Sequence, residues 1–374
     1  MKFDFIPSTI YINQQAIYQN IKYFQHLHPQ KKILAVVKAD AYGHGVHNVC
    51  SPALAAGVNG FCVAYVDEAL VLRKMGINTL ILVLGASLPE SVSVAQKEGI
   101  SLTAPSFNWL QESLKYLDPN CLNRLKVHIA LDTGMGRIGF TDLEELRRAI
   151  NFINQHQQIF ELEGLFTHFA TADENDVYYQ YQETKFKELI TQINEPVKYL
   201  HCENSAAGLL EPEDNFTNTI RLGIGMYGVS PLNFSSDLAT HLHPVMSLKS
   251  KISFIKKIKK GSKISYGATY TAPKDEWIAT VSIGYADGWL RRLQGFKVLV
   301  DGQYCSNVGR ITMDQLMIKV PHYYPIGTPV TFLGKDGDQE ITATEIADYA
   351  QTIPYEIFTC FSKRLPRVAI NLIN

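Results

Sequence analysis

The stretch ILAVVKADAYGHG, residues 33 to 45, decides the fold of this chain. Its first five residues are apolar, and the β-branched pair at 36 and 37 with the following glycines favours a short strand buried on both faces. That strand would deliver Lys38 to its C-terminal end. Gly43 and Gly45 then break the pattern and open a loop that also carries Tyr42 and His44.

Lys38 is the first residue in the chain that this pattern marks as a chemical candidate. A lysine held against an apolar strand is desolvated, which lowers the pKa of its ammonium group. Such a lysine can form a Schiff base or act as a base near neutral pH. The alternative is a lysine that extends past the strand end into solvent. The hydroxyl and imidazole in the following loop favour the chemical role.

Length and composition describe an ordinary globular protein. The chain has 374 residues, 46% of them hydrophobic and 19% charged, so two domains are expected. A net charge of −1 gives no electrostatic reason to expect nucleic-acid or membrane partners. The six cysteines form no CxxC pair, and the first residues lack the apolar core of a signal peptide. We therefore expect reduced thiols and a cytoplasmic location.

Eight short apolar runs alternate with amphipathic helical segments over about 230 residues, which predicts a (β/α)8 barrel. An open doubly wound sheet is the alternative, but no GxGxxG follows the first strand. One helical segment, TDLEELRRAINFINQH, begins with Thr141 as a capping residue and Glu144 three positions later. The predicted strands are Ile33–Lys38, Gly60–Val66, Thr79–Leu84, Ile100–Ala104, Lys126–Asp132, Leu162–Ala170, Tyr199–Asn204 and Thr219–Gly225.

The residues after 240 read as a second, β-rich domain, so the predicted boundaries are 1–240 and 241–374. Alternating runs such as FKVLVDG and LMIKVP predict strands, and the pair Asp301-Gly302 predicts a hairpin turn. Residues 342 to 353 look like one short helix. Three loops of this domain are rich in functional groups: residues 265–271, 283–288 and 309–315.

Polar residues cluster where the barrel strands should end, the face on which barrel enzymes place their chemistry. Ser205 is expected to open a small-residue helix and offer its hydroxyl and N–H groups to an anion. The histidine pairs at 44/47 and 241/243 lack a nearby set of carboxylates or cysteines that would complete a metal site, so no metal site is expected. The residues at the strand ends are Lys38, Asp132, Arg137, Thr167, His168, Glu203, Asn204, Ser205, Arg221, Gly223 and Ile224.

Taken together, these stretches resemble the alanine racemase family over nearly the whole chain. The motifs that carry the resemblance are AVVKADAYGHG, DTGMGRIGF, THFATADE, NSAA, RLGIGMYG, SYGATYTA, IGYADGW and GRITMDQ. The resemblance implies an isomerase that uses pyridoxal 5′-phosphate, bound covalently by Lys38. It implies that Arg221 contacts the ring nitrogen, His168 packs on the ring, and the remaining cofactor contacts come from Tyr42, Asn204, Ser205, Gly223, Ile224 and Tyr355.

The same resemblance implies how the substrate is held and turned over. Arg137 and Met313 would meet the carboxylate of alanine, with Tyr285, Thr312 and Asp314 in support. Racemisation needs one group on each face of the α-carbon, and these would be Lys38 and Tyr266. Tyr266 would reach the site from the other subunit of a head-to-tail homodimer. An arginine at the ring nitrogen keeps that nitrogen unprotonated, which favours racemisation over transamination.

The chain departs from the family pattern at two positions. Many members have a carbamylated lysine seven residues before the arginine of the GMGR turn, where this chain has Ala130. An anion such as chloride, another side chain or water would then support Arg137, or Arg137 is held more loosely. Thr312 replaces a cysteine that some members have, which is a mild change in the pocket wall.

The resemblance leaves several functions open. The leading interpretation is racemisation of alanine to supply D-alanine for peptidoglycan. A racemase of broader or different substrate range is the first alternative. A non-catalytic pyridoxal-phosphate-binding protein would lack the C-terminal domain, and a fold-related decarboxylase would be expected to carry a cysteine near position 312.

Overall fold

The computed structural model describes residues 5–174, 176–193, 195–210, 216–234 and 236–373. The chain divides into two compact units. We call the first the barrel unit; it comprises Ile17–Ala41 and Cys50–His243. We call the second the β unit; it comprises Met1–Ala16, Tyr42–Val49 and Pro244–Asn374. No helix among the described residues has the length and apolar character needed to cross a membrane.

The described residues contain strands distributed over both units. In chain order they are β1 (Thr9–Asn13), β2 (Lys32–Val36), β3 (Gly60–Val63), β4 (Leu80–Ala86), β5 (Ser101–Ala104), β6 (Leu125–Ala130), β7 (Phe160–Phe166), β8 (Tyr199–His201), β9 (Thr219–Leu222), β10 (Met246–Ile258), β11 (Lys263–Ile264), β12 (Tyr270–Thr271), β13 (Glu276–Val281), β14 (Lys297–Val300), β15 (Gln303–Ser306), β16 (Leu316–Val320), β17 (Pro329–Asp336), β18 (Gln339–Ile341) and β19 (Arg367–Ile370).

Helical segments connect these strands, together with several short 3₁₀ turns. They are α1 (Gln14–Leu27), α2 (Lys38–Tyr42), α3 (Val46–Ala55), α4 (Val66–Lys74), α5 (Val92–Glu98), α6 (Phe107–Ser113), α7 (Leu143–Gln155), α8 (Val177–Ile193), α9 (Ala207–Leu210), α10 (Ala343–Tyr349) and α11 (Pro354–Cys360).

The barrel unit is built on eight parallel strands in the order β8-β7-β6-β5-β4-β3-β2-β9. Its two end strands meet through backbone hydrogen bonds from Asn218 N–H to the Leu200 oxygen and from Arg221 N–H to the Glu203 oxygen, each 3.1 Å long. The sheet is therefore a nearly closed barrel, and the predicted fold class is confirmed. Parallel strands buried on both faces are apolar throughout, which is why the sequence pattern reveals them.

The N-terminus of α7 differs from the prediction by one residue. Asp142, and not Thr141, is the capping residue, since its Oδ1 accepts a hydrogen bond of 2.8 Å from the Glu145 N–H. The predicted capping box of Thr141 and Glu144 is therefore wrong. Aspartate and threonine are both good caps, so adjacent candidates cannot be ranked from sequence.

Replacing Asp142 with alanine is expected to lower the free energy of unfolding by about 1 kcal/mol, because the first turn of α7 loses its side-chain acceptor. Thr141→Ala is the matched control and should change stability by less than about 0.5 kcal/mol. Urea unfolding followed by circular dichroism measures both variants. Equal losses in the two would contradict the assignment of Asp142 as the cap.

The β unit contains strand β1, which the predicted boundary at residue 240 places in the barrel. β1 pairs antiparallel with β10 and parallel with β19, and alternate residues such as Ile10 and Ile12 are fully buried. The observed unit thus differs from the predicted domain at its N-terminal end. The predicted hairpin at Asp301-Gly302 is confirmed: Val300 pairs with Gln303, and both turn residues have positive φ, at 51° and 70°.

The segment Tyr42–Val49, which ends in the first turn of α3, also belongs to the β unit. A Cβ atom on Gly43 would lie 2.3 Å from the carbonyl oxygen of Phe358, so only glycine permits this approach. The Gly43 oxygen in turn accepts a hydrogen bond of 3.1 Å from Arg367 Nε. The glycine that sequence analysis assigns to opening a loop also lets the loop pack closely.

Candidate active site

Lys38 lies two residues beyond the end of β2, and not at the strand's last position as predicted. It begins α2, a single left-handed turn in which residues 39 to 42 all have φ between 52° and 55°. Left-handed backbone costs about 1–2 kcal/mol per non-glycine residue, so the surroundings must hold this turn. One such contact is a 2.6 Å hydrogen bond from the Ala39 N–H to Glu68 Oε1.

Glu68 was not among the predicted site residues, yet it ties the Lys38 turn to the neighbouring strand end. Its second oxygen, Oε2, accepts a 2.8 Å hydrogen bond from the Ala64 N–H just after β3. One carboxylate thereby holds the backbone after two adjacent barrel strands. Glu68 lies in the first turn of α4, where its favourable interaction with the helix dipole is enough to explain a glutamate. The sequence therefore does not reveal its second role.

The Lys38 ammonium group is partly buried, and the pKa of Lys38 is lowered. Burial is the largest cause, followed by the charge of Arg137, while Glu68 acts in the opposite direction. The neutral amine is therefore available at lower pH than in an ordinary lysine. This is the direction that the sequence predicts for a lysine set against an apolar strand.

Arg137→Gln is expected to raise the pKa of Lys38, because removing a nearby cation favours the ammonium form. Competitive labelling of the apoprotein with acetic anhydride across a pH series measures this, since only the neutral amine reacts. The labelling midpoint of Lys38 should lie below that of lysine in a short unstructured peptide and move upward in the variant. A midpoint equal to the peptide value in the unmodified protein would contradict the assignment.

Arg221 is buried at the end of β9 and has many hydrogen-bond acceptors around it. Nη1 lies 2.7 Å from His201 Nδ1 and 3.1 Å from the His201 oxygen. Nη2 lies 2.9 Å from the oxygens of Thr167 and Cys202 and 3.1 Å from His168 Nδ1. Among the described residues, the Nε–H of Arg221 is the donor left without an acceptor. It is the group that could serve the nitrogen of a bound ring.

His168 follows β7 and lies beside Arg221. Because arginine only donates hydrogen bonds, the His168 Nδ1 must accept, which places the proton of the neutral ring on Nε2. Burial, followed by the charges of Arg221, Arg137 and Lys38, holds the pKa of His168 well below its ordinary value. The imidazole is therefore neutral and suits packing against an aromatic ring better than binding an anion.

Ser205, Gly223 and Ile224 form a small polar cradle after β8 and β9. The Ser205 Oγ accepts hydrogen bonds from the N–H groups of Gly223, at 2.9 Å, and Gly225, at 3.2 Å. Its own proton is then directed elsewhere, and the Ile224 N–H makes no hydrogen bond with the described residues. These two donors fit an anionic group such as a phosphate.

Asn204, and not Ser205, caps the short helix α9. Its Oδ1 accepts from the N–H groups of Ala206, at 2.9 Å, and Ala207, at 3.1 Å, and so caps the short helix α9. The N–H groups that the sequence analysis offers to an anion at the start of this helix are therefore already bonded. This part of the prediction is wrong because asparagine competes with an external ligand for the same donors.

Arg137 is exposed and has no hydrogen-bond or ion-pair partner among the described residues. The turn before it is held by Asp132, whose Oδ1 accepts from the N–H groups of Gly134 and Gly136, each at 3.0 Å. Ala130 is buried, and its oxygen accepts a 2.9 Å hydrogen bond from the Phe140 N–H. The methyl group of Ala130 offers nothing that could orient a guanidinium.

The remaining candidates lie in the β unit. The rings of Tyr42 and Tyr355 are 5.8 Å apart between centroids. Tyr266 is 72% exposed and lies on a 3₁₀ turn after Ser265, whose hydroxyl donates to the Arg310 oxygen at 2.6 Å. The Tyr266 phenol is therefore accessible from solvent.

Two of the three predicted loops of the β unit are joined to each other. The Tyr285 N–H donates to the Thr312 oxygen at 3.1 Å, and the following N–H, of Ala286, donates to the Met313 oxygen at 3.0 Å. The Met313 side chain is exposed. Asp314 is committed to an ion pair with Arg364 at 2.9 Å, so its part is to hold the loop. The structure thus brings Tyr285, Thr312 and Met313 together.

Comparisons with known proteins agree over both units. Family models described as "Alanine racemase, N-terminal domain" and "Alanine racemase, C-terminal domain" match residues 12–231 and 245–369. An alanine racemase of Latilactobacillus sakei is 47% identical over 376 residues, covering 98% of this chain and 97% of that protein.

The solved structures that resemble this chain include alanine racemases and one histidine racemase. The crystal structure of alanine racemase from E. faecalis has a TM-score of 0.95 at 41% identity, and the match covers 99% of this chain and 100% of that one. A histidine racemase from Leuconostoc mesenteroides has a TM-score of 0.90 at 33% identity, covering 98% and 99%.

Proposed function

Since the chain belongs to the alanine racemase family, we propose that it interconverts L-alanine and D-alanine with pyridoxal 5′-phosphate bound at Lys38. The observation that carries this proposal is the environment of Arg221. Carbonyl oxygens and imidazoles take up its other donors, so its Nε–H is left for the ring nitrogen. A guanidinium cannot give up its proton there, so the nitrogen remains unprotonated, which favours racemisation over transamination.

The donors of the barrel unit fit this cofactor. Lys38 supplies an amine of lowered pKa for covalent attachment, and neutral His168 suits the ring face. The Ser205 hydroxyl and the Ile224 N–H suit a phosphate. We place Gly223 beside it, where its N–H holds the Ser205 Oγ, and Asn204 shapes the same turn. We place Tyr42 and Tyr355 at the phosphate as well. When bound, the cofactor withdraws electrons from the substrate and makes its α-proton acidic.

Two residues of this chain then move the proton. The Lys38 amine takes the α-proton on one face, and the Tyr266 hydroxyl returns a proton on the other. Arg137 binds the substrate carboxylate with the help of Met313, and the lack of a carbamylated lysine at Ala130 leaves the orientation of Arg137 to an anion, a water or another side chain. Tyr285 and Thr312 line the pocket wall, and Asp314 holds it.

The exposure of Tyr266 supports a shared site. We propose that Tyr266 acts in the site of a second copy of the chain, so that the active enzyme is a homodimer. We further propose that the enzyme works in the cytoplasm and supplies D-alanine for peptidoglycan.

The test is proton NMR and circular dichroism of L-alanine, and separately of D-alanine, with the protein and cofactor in D₂O. We expect loss of the α-proton signal and decay of the optical activity to zero from either enantiomer, because the two enantiomers have equal free energies in water. Exchange with retained optical activity would mean that one base alone works, and the role of Tyr266 would be wrong. Absence of exchange with both enantiomers would overturn the proposal.

A broader substrate range is the second candidate, and the likeness to a histidine racemase favours it. The same assay with L-histidine and L-serine tests it. Racemisation of either amino acid at a rate within about tenfold of that of alanine would support a broader substrate range.

A further inference from the structure

A chain of hydrogen bonds leads from Arg221 through the interior of the barrel. His201 Nδ1 lies 2.7 Å from Arg221 Nη1, and His201 Nε2 lies 2.9 Å from His128 Nδ1. His128 Nε2 then lies 3.2 Å from Glu163 Oε2. Each of the four residues is at most 3% exposed. They stand on β9, β8, β6 and β7, so the chain crosses the barrel from strand to strand.

The direction of these hydrogen bonds is fixed by chemistry. Arginine can only donate, so His201 Nδ1 accepts and its proton lies on Nε2. His201 Nε2 therefore donates to His128 Nδ1, and His128 carries its proton on Nε2, where it donates to the carboxylate of Glu163. Every bond in the chain points from Arg221 toward Glu163. Both histidines must be the Nε2–H tautomer for the chain to exist.

Charges are present only at the two ends of this chain. Burial, and then the charge of Arg221, hold the pKa of His201 well below its ordinary value, and burial also lowers the pKa of His128, so both rings are neutral. Burial raises the pKa of Glu163, but hydrogen bonds from His128 and Ser101 and the charge of Lys126 outweigh it. Glu163 is therefore an ionised, buried acceptor.

The backbone is adapted to this arrangement. The pairing of β6 with β7 shifts between Val127 and His128, so that Glu163 is an extra, bulged residue between Leu162 and Gly164. Bulges change the direction in which a side chain points. At Gly164 an added Cβ would lie 2.4 Å from His128 Nδ1, so glycine leaves the room that the imidazole occupies. Ser101 adds a 2.6 Å hydrogen bond to Glu163 Oε2.

The far end of the chain reaches an open cavity of about 530 Å³, which Glu163 lines with Lys126 and Lys198. The Nζ atoms of both lysines lie 3.9 Å from Glu163 Oε1. Glu163 thus has two donors on one oxygen and two cations near the other. Its negative charge is stabilised independently of anything bound beside Lys38.

We propose that Glu163, acting through His128, is a positioning residue that fixes the tautomer of His201 and thereby the orientation of Arg221. The inference rests on the proposed function, because it assigns these residues a purpose in presenting the Arg221 Nε–H to the cofactor ring. Without the carboxylate, the two imidazoles can reverse their tautomers. His201 would then turn an N–H toward Arg221, and two donors would face each other.

Nitrogen-15 NMR of histidine-labelled apoprotein tests the tautomers directly, before any cofactor or substrate is added. In the unmodified protein, we expect His201 and His128 to show protonated Nε2 and unprotonated Nδ1. In Glu163→Gln, whose amide can donate, we expect a measurable fraction of Nδ1–H tautomer at both rings. A protonated Nδ1 on His201 in the unmodified protein would overturn the proposal, whether or not the variant folds.

Kinetics of the loaded enzyme give the second readout. Glu163→Gln should lower kcat for alanine by about tenfold, the usual effect of leaving a buried donor unpaired, with KM changed much less. Glu163→Asp keeps the charge and should retain the tautomers and more of the activity. Thr103→Val is the matched control, since it removes a buried 2.8 Å hydrogen bond to the Val83 oxygen in the same barrel.

The outcomes separate this inference from the proposed function. If His201 and His128 show the Nε2–H tautomer but the protein does not racemise alanine, the proposed function is contradicted and the hydrogen-bond chain is not. An active racemase whose tautomers and kcat are the same in Glu163→Gln and Thr103→Val would overturn the positioning role.

Discussion

Lys38→Arg is expected to lower the rate of alanine racemisation by a factor of at least about 10,000, because arginine keeps the positive charge but has no neutral amine to offer. The charge near Glu68 is retained, so the left-handed turn should survive. Borohydride treatment should fix the cofactor to the unmodified chain at the Lys38 peptide and fail to do so in the variant.

The control for this substitution is Lys97→Arg, on the exposed side of α5. It should retain full activity and covalent labelling. Added methylamine should restore part of the lost activity of a Lys38→Ala variant by supplying a free base. Activity within tenfold of normal in Lys38→Arg would contradict the assignment of Lys38.

Tyr266→Phe is expected to lower racemisation by about 100- to 10,000-fold, the range for loss of a general acid or base. Exchange of the α-proton should persist from one enantiomer and be lost from the other, since one face keeps its base. Tyr304→Phe, at a half-exposed tyrosine elsewhere in the β unit, is the control and should leave the rate unchanged.

Mixing the two inactive variants tests whether the site is shared. If Lys38 of one subunit works with Tyr266 of its partner, each Lys38→Arg and Tyr266→Phe heterodimer contains one intact site. Random exchange of subunits should then restore about a quarter of normal activity. Absence of recovery after confirmed exchange would place both residues in one subunit.

The barrel could be predicted because parallel strands buried on both faces are continuous apolar runs in the sequence. Each of the eight predicted strands overlaps an observed one, and the errors lie at the ends, where the last hydrogen bond of a ladder has no sequence marker. The left-handed turn that begins at Lys38 could not be predicted in this way. Ala39 and Ala41 are residues that normally avoid left-handed backbone, so the sequence does not predict the turn.

The hydrogen-bond chain behind Arg221 was missed for a related reason. His128 and His201 lie in largely apolar strands, a pattern that more often means a core histidine with its hydrogen bonds satisfied. Their partners lie on other strands, and the bulge at Glu163 hides its direction from any alternating pattern. A buried glutamate and two histidines at adjacent strands are the only signal that could have been used.

The pairing of strand β1 with β10 could not be predicted from local sequence either, because the two strands are far apart in the chain. This separation has a consequence for synthesis of the protein. Thr9 pairs with Lys249, about 240 residues later in the chain. At ribosomal rates of roughly 5–20 residues per second, β1 waits about 10 to 50 seconds for the strand that pairs with it. The barrel strands emerge during that interval, so the nascent chain must keep an apolar strand unpaired while a sheet with exposed edges assembles beside it. Synthesis slowed between residues 13 and 246 would lengthen the period in which β1 has no partner strand.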